Sequence, residues 1–360
     1  MLITFRSVCT RLLLDAICVV LLAVGVVSVP RSQACTRVVY HGVDDQIVTA
    51  RSMDWKVDVG TNLWVFPRGM ERAGETGENS LRWTSKYGSV IASGYDISTT
   101  DGLNEAGLSA SVLWLVESEY PAYDGQKPGL TVAAWAQYIL DNFATVAEAV
   151  AVLEQEPFIV VTDKVPGEDR LAALHLAISD AGGDSAIVEY IEGEQVIHHS
   201  PKYQVMTNSP TFEEQLALHS YWEQIGGTVM LPGTNRAADR FTRAAFYINA
   251  VPRTDDPVET IASVFSVIRN VSVPYGLTTP DQPNISSTRW RTVADQERLR
   301  YFFESALTPS IFWVDLQKVD FSPETGEVKK LDLGPGQRNI FSGEVSADFV
   351  PSQPFKFLGI

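Results

Sequence analysis

Beyond residue 35 the chain alternates short apolar runs with polar turn clusters, and the spacing of its apolar positions switches between two periods. Thr36 to His41 and Gln46 to Ser52 are rich in Val, Ile and Tyr and flank Gly42-Val43-Asp44-Asp45. A Gly/Asp turn between two such runs predicts a β-hairpin, and its first strand starts beside Cys35. Further strands are predicted at Ser185 to Ile191, Gln195 to His199 and Tyr203 to Thr207, with Glu192-Gly193 turning the first pair. Between these sets, Leu130 to Phe143 carries apolar residues at helical spacing. Thr145-Val146-Ala147-Glu148 is a capping box that opens a second helix running to about Leu153. Ala237 to Ala250 and Val258 to Val267 predict two more helices, and Ile311 to Val319 a late strand. Strands, helices, strands, helices and strands in that order predict an α+β fold, with sheets packed face to face and helices outside. No repeat, low-complexity tract or long linker interrupts residues 35–360, which read as one domain.

The first 34 residues have a different character. Arg6 and Arg11 precede an apolar run from Ala16 to Val29, and Ser32 and Ala34 stand three and one positions before Cys35. That pattern reads as a cleaved secretory signal peptide, which implies an exported protein, periplasmic or extracellular, with no permanent membrane anchor. Leu12 to Val29 is close to the minimum length of a membrane span, but Asp15 interrupts it.

The chain is 45% hydrophobic and 20% charged, enough apolar surface for a packed core and too much for a disordered chain. With 28 basic against 44 acidic residues its formal charge is −16, and losing the leader moves this to −18. A field of that sign disfavours nucleic-acid partners.

Removing the leader also removes Cys9 and Cys18, leaving Cys35 alone in an oxidising compartment with no intrachain disulfide to make. Cleavage after Ala34 would give residue 35 both a thiol and a free α-amine. Such an amine, with a reference pKa of about 7.7 to 8.0, can accept the thiol proton near neutral pH. No histidine is then required. His41, His175, His198, His199 and His219 show no metal-ligand spacing and receive no role, and no metal or cofactor is expected.

Cys35-Thr36-Arg37, then Ala50-Arg51-Ser52-Met53-Asp54-Trp55, then Asp101-Gly102-Leu103-Asn104-Glu105-Ala106-Gly107-Leu108 appear in order. Thr207-Asn208-Ser209-Pro210-Thr211-Phe212 and Leu231-Pro232-Gly233 with Arg240-Phe241 follow. In these blocks the chain resembles the choloylglycine hydrolase and penicillin V acylase family of N-terminal-nucleophile hydrolases. The resemblance implies a four-layer αββα fold, two antiparallel sheets between helix layers, that hydrolyses a linear amide through a thioester on Cys35. It implies that Arg51 lies beside the thiol and lowers its pKa, that Asp54 holds the terminal amine, and that Arg240 stabilises charge and geometry near the nucleophile. Asn208 would donate its side-chain amide, and Trp114 its backbone N–H, to the developing oxyanion. Bile-salt members resemble one another in carrying asparagine where this chain has Trp114.

Trp55 and Trp114 adjoin these blocks and suggest an aromatic acyl pocket, whereas Trp64 and Trp83 read as core. The expected substrate is a small-molecule N-acyl amide, with phenoxyacetyl or fatty-acyl amides, such as penicillin V or N-acyl homoserine lactones, ahead of conjugated bile salts. Assembly as a homotetramer is the family habit, weakened here by a short interval between Asn208 and Arg240. A different class of reading makes Cys35 the lipidated anchor of a membrane-tethered binding protein; a lipid-attachment site favours Leu where Ser32 stands.

Overall fold

The computed structural model describes residues 35–277 and 286–360, so the leader and its cleavage site lie outside the described residues. The predicted hairpin is present as β1, Thr36–His41, and β2, Ile47–Trp55. Asp44 and Asp45 adopt positive φ in its turn, a conformation that Asp tolerates better than most residues. β2 runs three residues past the predicted end, and all nine of its residues are buried. Continuous burial marks a strand covered on both faces, and such a strand shows no polar-apolar alternation to read.

Continuing along the chain, β3 is Leu63–Phe66, β4 Ser89–Gly94, β5 Ser98–Asn104, β6 Ser109–Trp114, β7 Leu174–Ser179 and β8 Ser185–Ile191. β9 is Glu194–His199, β10 Val205–Met206, β11 Ser287–Asp295, β12 Arg300–Ser305 and β13 Ile311–Asp315. Short strands β14, Lys329–Leu331, β15, Gly343–Glu344, and β16, Val350–Pro351, close the chain. One sheet has the order β10-β1-β2-β11-β12-β13-β15, and the other β9-β8-β7-β6-β5-β4-β3-β14-β16. All neighbouring pairs are antiparallel except β13 with β15.

The sheets face each other across a seam that is partly polar. Thr49 of β2 meets Ser179 of β7 at 2.7 Å, and Asp101 of β5 accepts from Thr292 of β11 at 2.8 Å and from Tyr301 of β12. Helices cover the outer faces: α1, Trp135–Asn142, and α2, Val146–Leu153, on the larger sheet. α3 is Phe212–Ile225, and α4, Ala237–Ala250, and α5, Pro257–Asn270, pack on the smaller sheet. Leu176 and Ile178 of β7 pack toward α1 while Ala177 between them packs toward the seam, the two-residue period of a strand.

The helix predicted from Leu130 begins only at Trp135, because Gly129–Thr131 pairs instead with Ile159–Val161. Thr145 caps α2 as expected, accepting from Glu148 N–H at 3.2 Å. The block Asp101 to Leu108 is structural. A Cβ on Gly102 would lie 2.7 Å from Ile91 and 2.8 Å from Leu140, so only glycine lets α1 sit this close to the sheet. Asn104 donates to the carbonyls of Leu140 at 2.9 Å and Phe143 at 2.8 Å, capping the end of α1. Among the described residues no helix is long and apolar enough to cross a membrane.

Candidate active site

Cys35 directly precedes β1, the second strand from one edge of the smaller sheet, and is 3% exposed. Its Sγ lies 3.5 Å from the backbone N–H of Asp54 and 3.7 Å from the Asp54 carbonyl on β2. Alternation along β2 then divides the labour: Arg51, Met53 and Trp55 point into a cavity of about 120 Å³ that Cys35 also lines. Asp54 points the other way, within reach of the Ser52 hydroxyl at 3.3 Å and of Thr288.

Arg51 is buried against the face of Trp290, its guanidinium 4.8 Å from the ring centre. It donates to the Val112 carbonyl at 2.9 Å and reaches Met53 Sδ at 3.3 Å, while Nε and Nη1 have no partner among the described residues. Its charge favours thiolate, as expected, but the net effect on Cys35 is the reverse. Burial pushes the thiol pKa up, Asp54 adds to the rise, and Arg51 and Arg240 only partly offset it. Asp54 is likewise pushed up, to about 6, by burial, against the pull of Arg240 and of hydrogen bonds from Thr288 and Ser52. Its Oδ1 has no hydrogen-bond partner among the described residues.

Arg240 reaches inward from α4, fully buried, and burial lowers its pKa to about 10. It donates to the Cys35 carbonyl at 2.6 Å, to the Thr36 hydroxyl and to Asn208 at 2.9 Å. A guanidinium can only donate, so the Asn208 atom it meets is Oδ1 and the amide nitrogen faces the other way. That nitrogen donates to the Trp114 carbonyl at 2.6 Å, which leaves its second hydrogen for another acceptor.

The Trp114 N–H points away from the β7 ladder, as its carbonyl does. Leu115 N–H bonds to Ala173 across from β7, so Trp114 belongs to the non-bonded position of that ladder and its N–H and carbonyl face the opposite edge. The pairing of β5 with β6 stops at Asp101 and Ser111, so among the described residues no strand pairing claims that edge at Trp114. The Trp114 N–H therefore lies on the same edge as the carbonyl that Asn208 binds.

The structure thus brings Cys35, Arg51, Asp54, Asn208, Arg240 and Trp114 together. Trp55 and Trp114 line the cavity, with ring centres 5.5 Å apart, whereas Trp64 and Trp83 are in the core against the outer helices. Sequence reasoning missed Val165, which also lines the cavity, and Arg170, whose guanidinium lies 4.3 Å from the Trp114 ring. No local pattern marks them, because each joins the site from a loop. Among the described residues no three His, Cys, Asp or Glu side chains cluster as a metal site.

A sulfur that lines a cavity, with an Asn208 amide hydrogen and a Trp114 N–H on the residues grouped around it, suits acyl transfer. Residues 35–330 match the linear amide C–N hydrolases of the choloylglycine hydrolase family, and the chain belongs to that family. It is 60% identical over 351 residues to a penicillin V acylase of Pectobacterium atrosepticum, covering 91% of this chain and 93% of that one. Among solved structures it is similar to penicillin V acylase from Agrobacterium tumefaciens, with a TM-score of 0.86 and 72% identity over 91% of this chain and all of that chain. A conjugated bile acid hydrolase of Clostridium perfringens shares the fold, with a TM-score of 0.70 at 24% identity over 82% of this chain and 96% of that one. The fold is that of the N-terminal-nucleophile hydrolases, and the protein is a linear amide hydrolase.

Proposed function

We propose that the protein is an exported acylase whose nucleophile is Cys35 and whose base is the α-amine freed when the leader is cut after Ala34. In this reading Sγ attacks the acyl carbonyl carbon, and the thiol proton passes to the α-amine. The C–N bond then breaks, the same proton goes to the departing amine, and a thioester remains. Water, deprotonated by the α-amine, hydrolyses the thioester and returns free thiol. Asn208 Nδ2 and Trp114 N–H hold the oxyanion in both tetrahedral steps. Arg240 fixes the Asn208 carboxamide and the Cys35 carbonyl, Arg51 supplies positive potential to the sulfur, and Asp54 Oδ1 accepts from the amine.

The observation that carries this reading is the grouping of a Cys35 sulfur that lines a cavity, an Asp54 Oδ1 with no partner among the described residues on the residue whose N–H meets that sulfur, and an Asn208 carboxamide joined through Arg240 to the Cys35 carbonyl. The small cavity with Trp55 and Trp114 in its wall supports a compact or slender acyl group such as phenoxyacetyl or a fatty chain, as does the likeness to penicillin V acylases. Cys35→Ala should abolish turnover with the fold intact by circular dichroism. A precursor that cannot be cleaved should be almost inactive, because an amide nitrogen is no base; full activity in that precursor would remove the α-amine from the scheme. A panel of penicillin V, long-chain acyl homoserine lactone and glycine-conjugated bile salt ranks the acyl groups, the bile salt being expected last. Intact mass of the exported protein should show an unmodified cysteine terminus; an added diacylglycerol would favour the membrane-tethered reading instead.

A further inference from the structure

Beside Asn208 lies a buried cluster, His175, Glu189 and His198, none of which lines the Cys35 cavity. His175 of β7 and Glu189 of β8 are both buried, and Nδ1 lies 3.1 Å from Oε1. The other ring nitrogen, Nε2, lies 2.9 Å from the carbonyl of Thr207, the residue before Asn208. Carboxylate and carbonyl oxygens are both acceptors, so both contacts are hydrogen bonds only when the ring donates from both nitrogens, and Glu189 then neutralises its charge.

Glu189 is tied down in turn. The N–H of Phe212, the first residue of α3, approaches its two oxygens at 3.1 and 3.2 Å, and His198 Nε2 lies 3.4 Å away. Burial alone would raise its pKa; the hydrogen bonds from His175 and His198 outweigh that and hold it at about 2. Gln215 of α3 donates to the Asn208 carbonyl at 3.0 Å. Side chains therefore pin the main chain at Thr207, Asn208 and Phe212. The segment needs such pins, since Asn208 follows β10, a two-residue strand at the sheet edge paired only with β1.

We propose that His175 is a positioning residue: together with Glu189 it fixes the Thr207 carbonyl and, through it, the direction in which the Asn208 carboxamide faces Cys35. The proposal rests on the reading of Asn208 as an oxyanion donor. A pair kept only for packing would change stability without separating one reaction of the Cys35 thiol from another. Acyl transfer develops an oxyanion, whereas alkylation of the same thiol by iodoacetamide, a displacement at saturated carbon, develops none.

The experiment compares the mature enzyme with His175→Gln, Glu189→Gln and Asn208→Ala, following turnover of penicillin V and the alkylation rate of Cys35. His175→Gln and Glu189→Gln should lower kcat about 10- to 100-fold with KM within about twofold, the size expected of a slightly misplaced catalytic group. Their alkylation rates should match the parent's. Asn208→Ala should lower kcat about 10²- to 10³-fold, as loss of an oxyanion donor does. Folded variants at 175 and 189 with parental kcat, or with turnover and alkylation falling in proportion, would overturn the proposal. If Asn208→Ala itself keeps parental turnover, the oxyanion assignment fails first and the proposal falls with it; impairment of Asn208→Ala alone defeats only the role of His175. Should His175→Gln not fold, Glu189→Gln carries the test, because it keeps both the volume and an acceptor for Phe212.

Discussion

Burial and the Asp54 carboxylate oppose ionisation of the Cys35 sulfur and outweigh two guanidinium groups and the Asp54 N–H, so the thiol waits protonated and a nearby base has work to do. Asp54 carries a related tension. Its carboxyl pKa is raised from 3.8 to about 6 in the fold, so the folded protein binds a proton there that the unfolded chain has released. Stability from this group therefore falls as pH rises from about 4 to about 6, and the cost persists above that window. Asp54→Asn should stabilise the fold at pH 7, by about 2–3 kcal/mol at most for a shift of this size and seen as a higher melting temperature, and leave it unchanged at pH 4. It should also abolish most turnover, and in the parent kcat/KM should drop as pH falls below about 6. A melting temperature that falls at pH 7 in the variant would mean that the carboxylate is net stabilising where it sits. Cys35, Arg51, Asp54 and Asn208 could be named from the sequence because each stands in one of the short blocks that carry the family resemblance. His175 was not, because its partners are 14 and 32 residues away and its own neighbourhood reads as an ordinary strand.

Elements were legible where their signals are local. The Gly/Asp turn of the first hairpin and the capping box of α2 both predict their structures, since each is made by residues that touch within one turn. The strands from Leu63 to Trp114 and from Ser287 to Ser305 went unseen: Ser89–Gly94, for example, buries all six residues, small polar ones included, between a sheet and helices. α3 escaped because it buries only Phe212 and Gln215 and so has little apolar periodicity to detect. The loop at residues 163–171 was equally silent, yet it roofs the cavity with Val165 and Pro166. Glu168 bonds both Arg170 and Lys56, the latter at 3.0 Å, and Arg170 lies 4.3 Å from Trp114 and 5.4 Å from Trp55. Stacking of this kind is worth about 0.5–1 kcal/mol at a half-exposed site, so Arg170→Ala should raise KM for a phenoxyacetyl substrate about two- to fivefold. Little change in kcat is expected, because no reacting atom is touched. Steady-state kinetics with matched tryptophan fluorescence check this; a selective fall in kcat would place Arg170 in the chemistry rather than the roof.

At the scale of the whole molecule, charge is the property that reaches the substrate before any contact does. The full chain carries −16, and around the loop at residues 163–171 the cations Lys56, Lys164 and Arg170 are matched in number by Asp163, Glu168 and Asp169, with Glu168 bonding Lys56 and Arg170 and Asp169 bonding Lys164. Paired charges cancel at a distance, so an approaching ligand meets the net negative field. Penicillin V carries a carboxylate on its leaving portion and should be repelled, whereas a neutral acyl homoserine lactone should not. Raising salt from about 10 mM to about 1 M shortens the screening length from about 30 Å to about 3 Å and removes that repulsion. KM for penicillin V should then fall several-fold while KM for the lactone holds steady. The opposite slope, KM for the anion rising with salt, would mean that Lys56, Lys164 and Arg170 leave their carboxylates to receive the substrate, and that the roof loop opens when it binds.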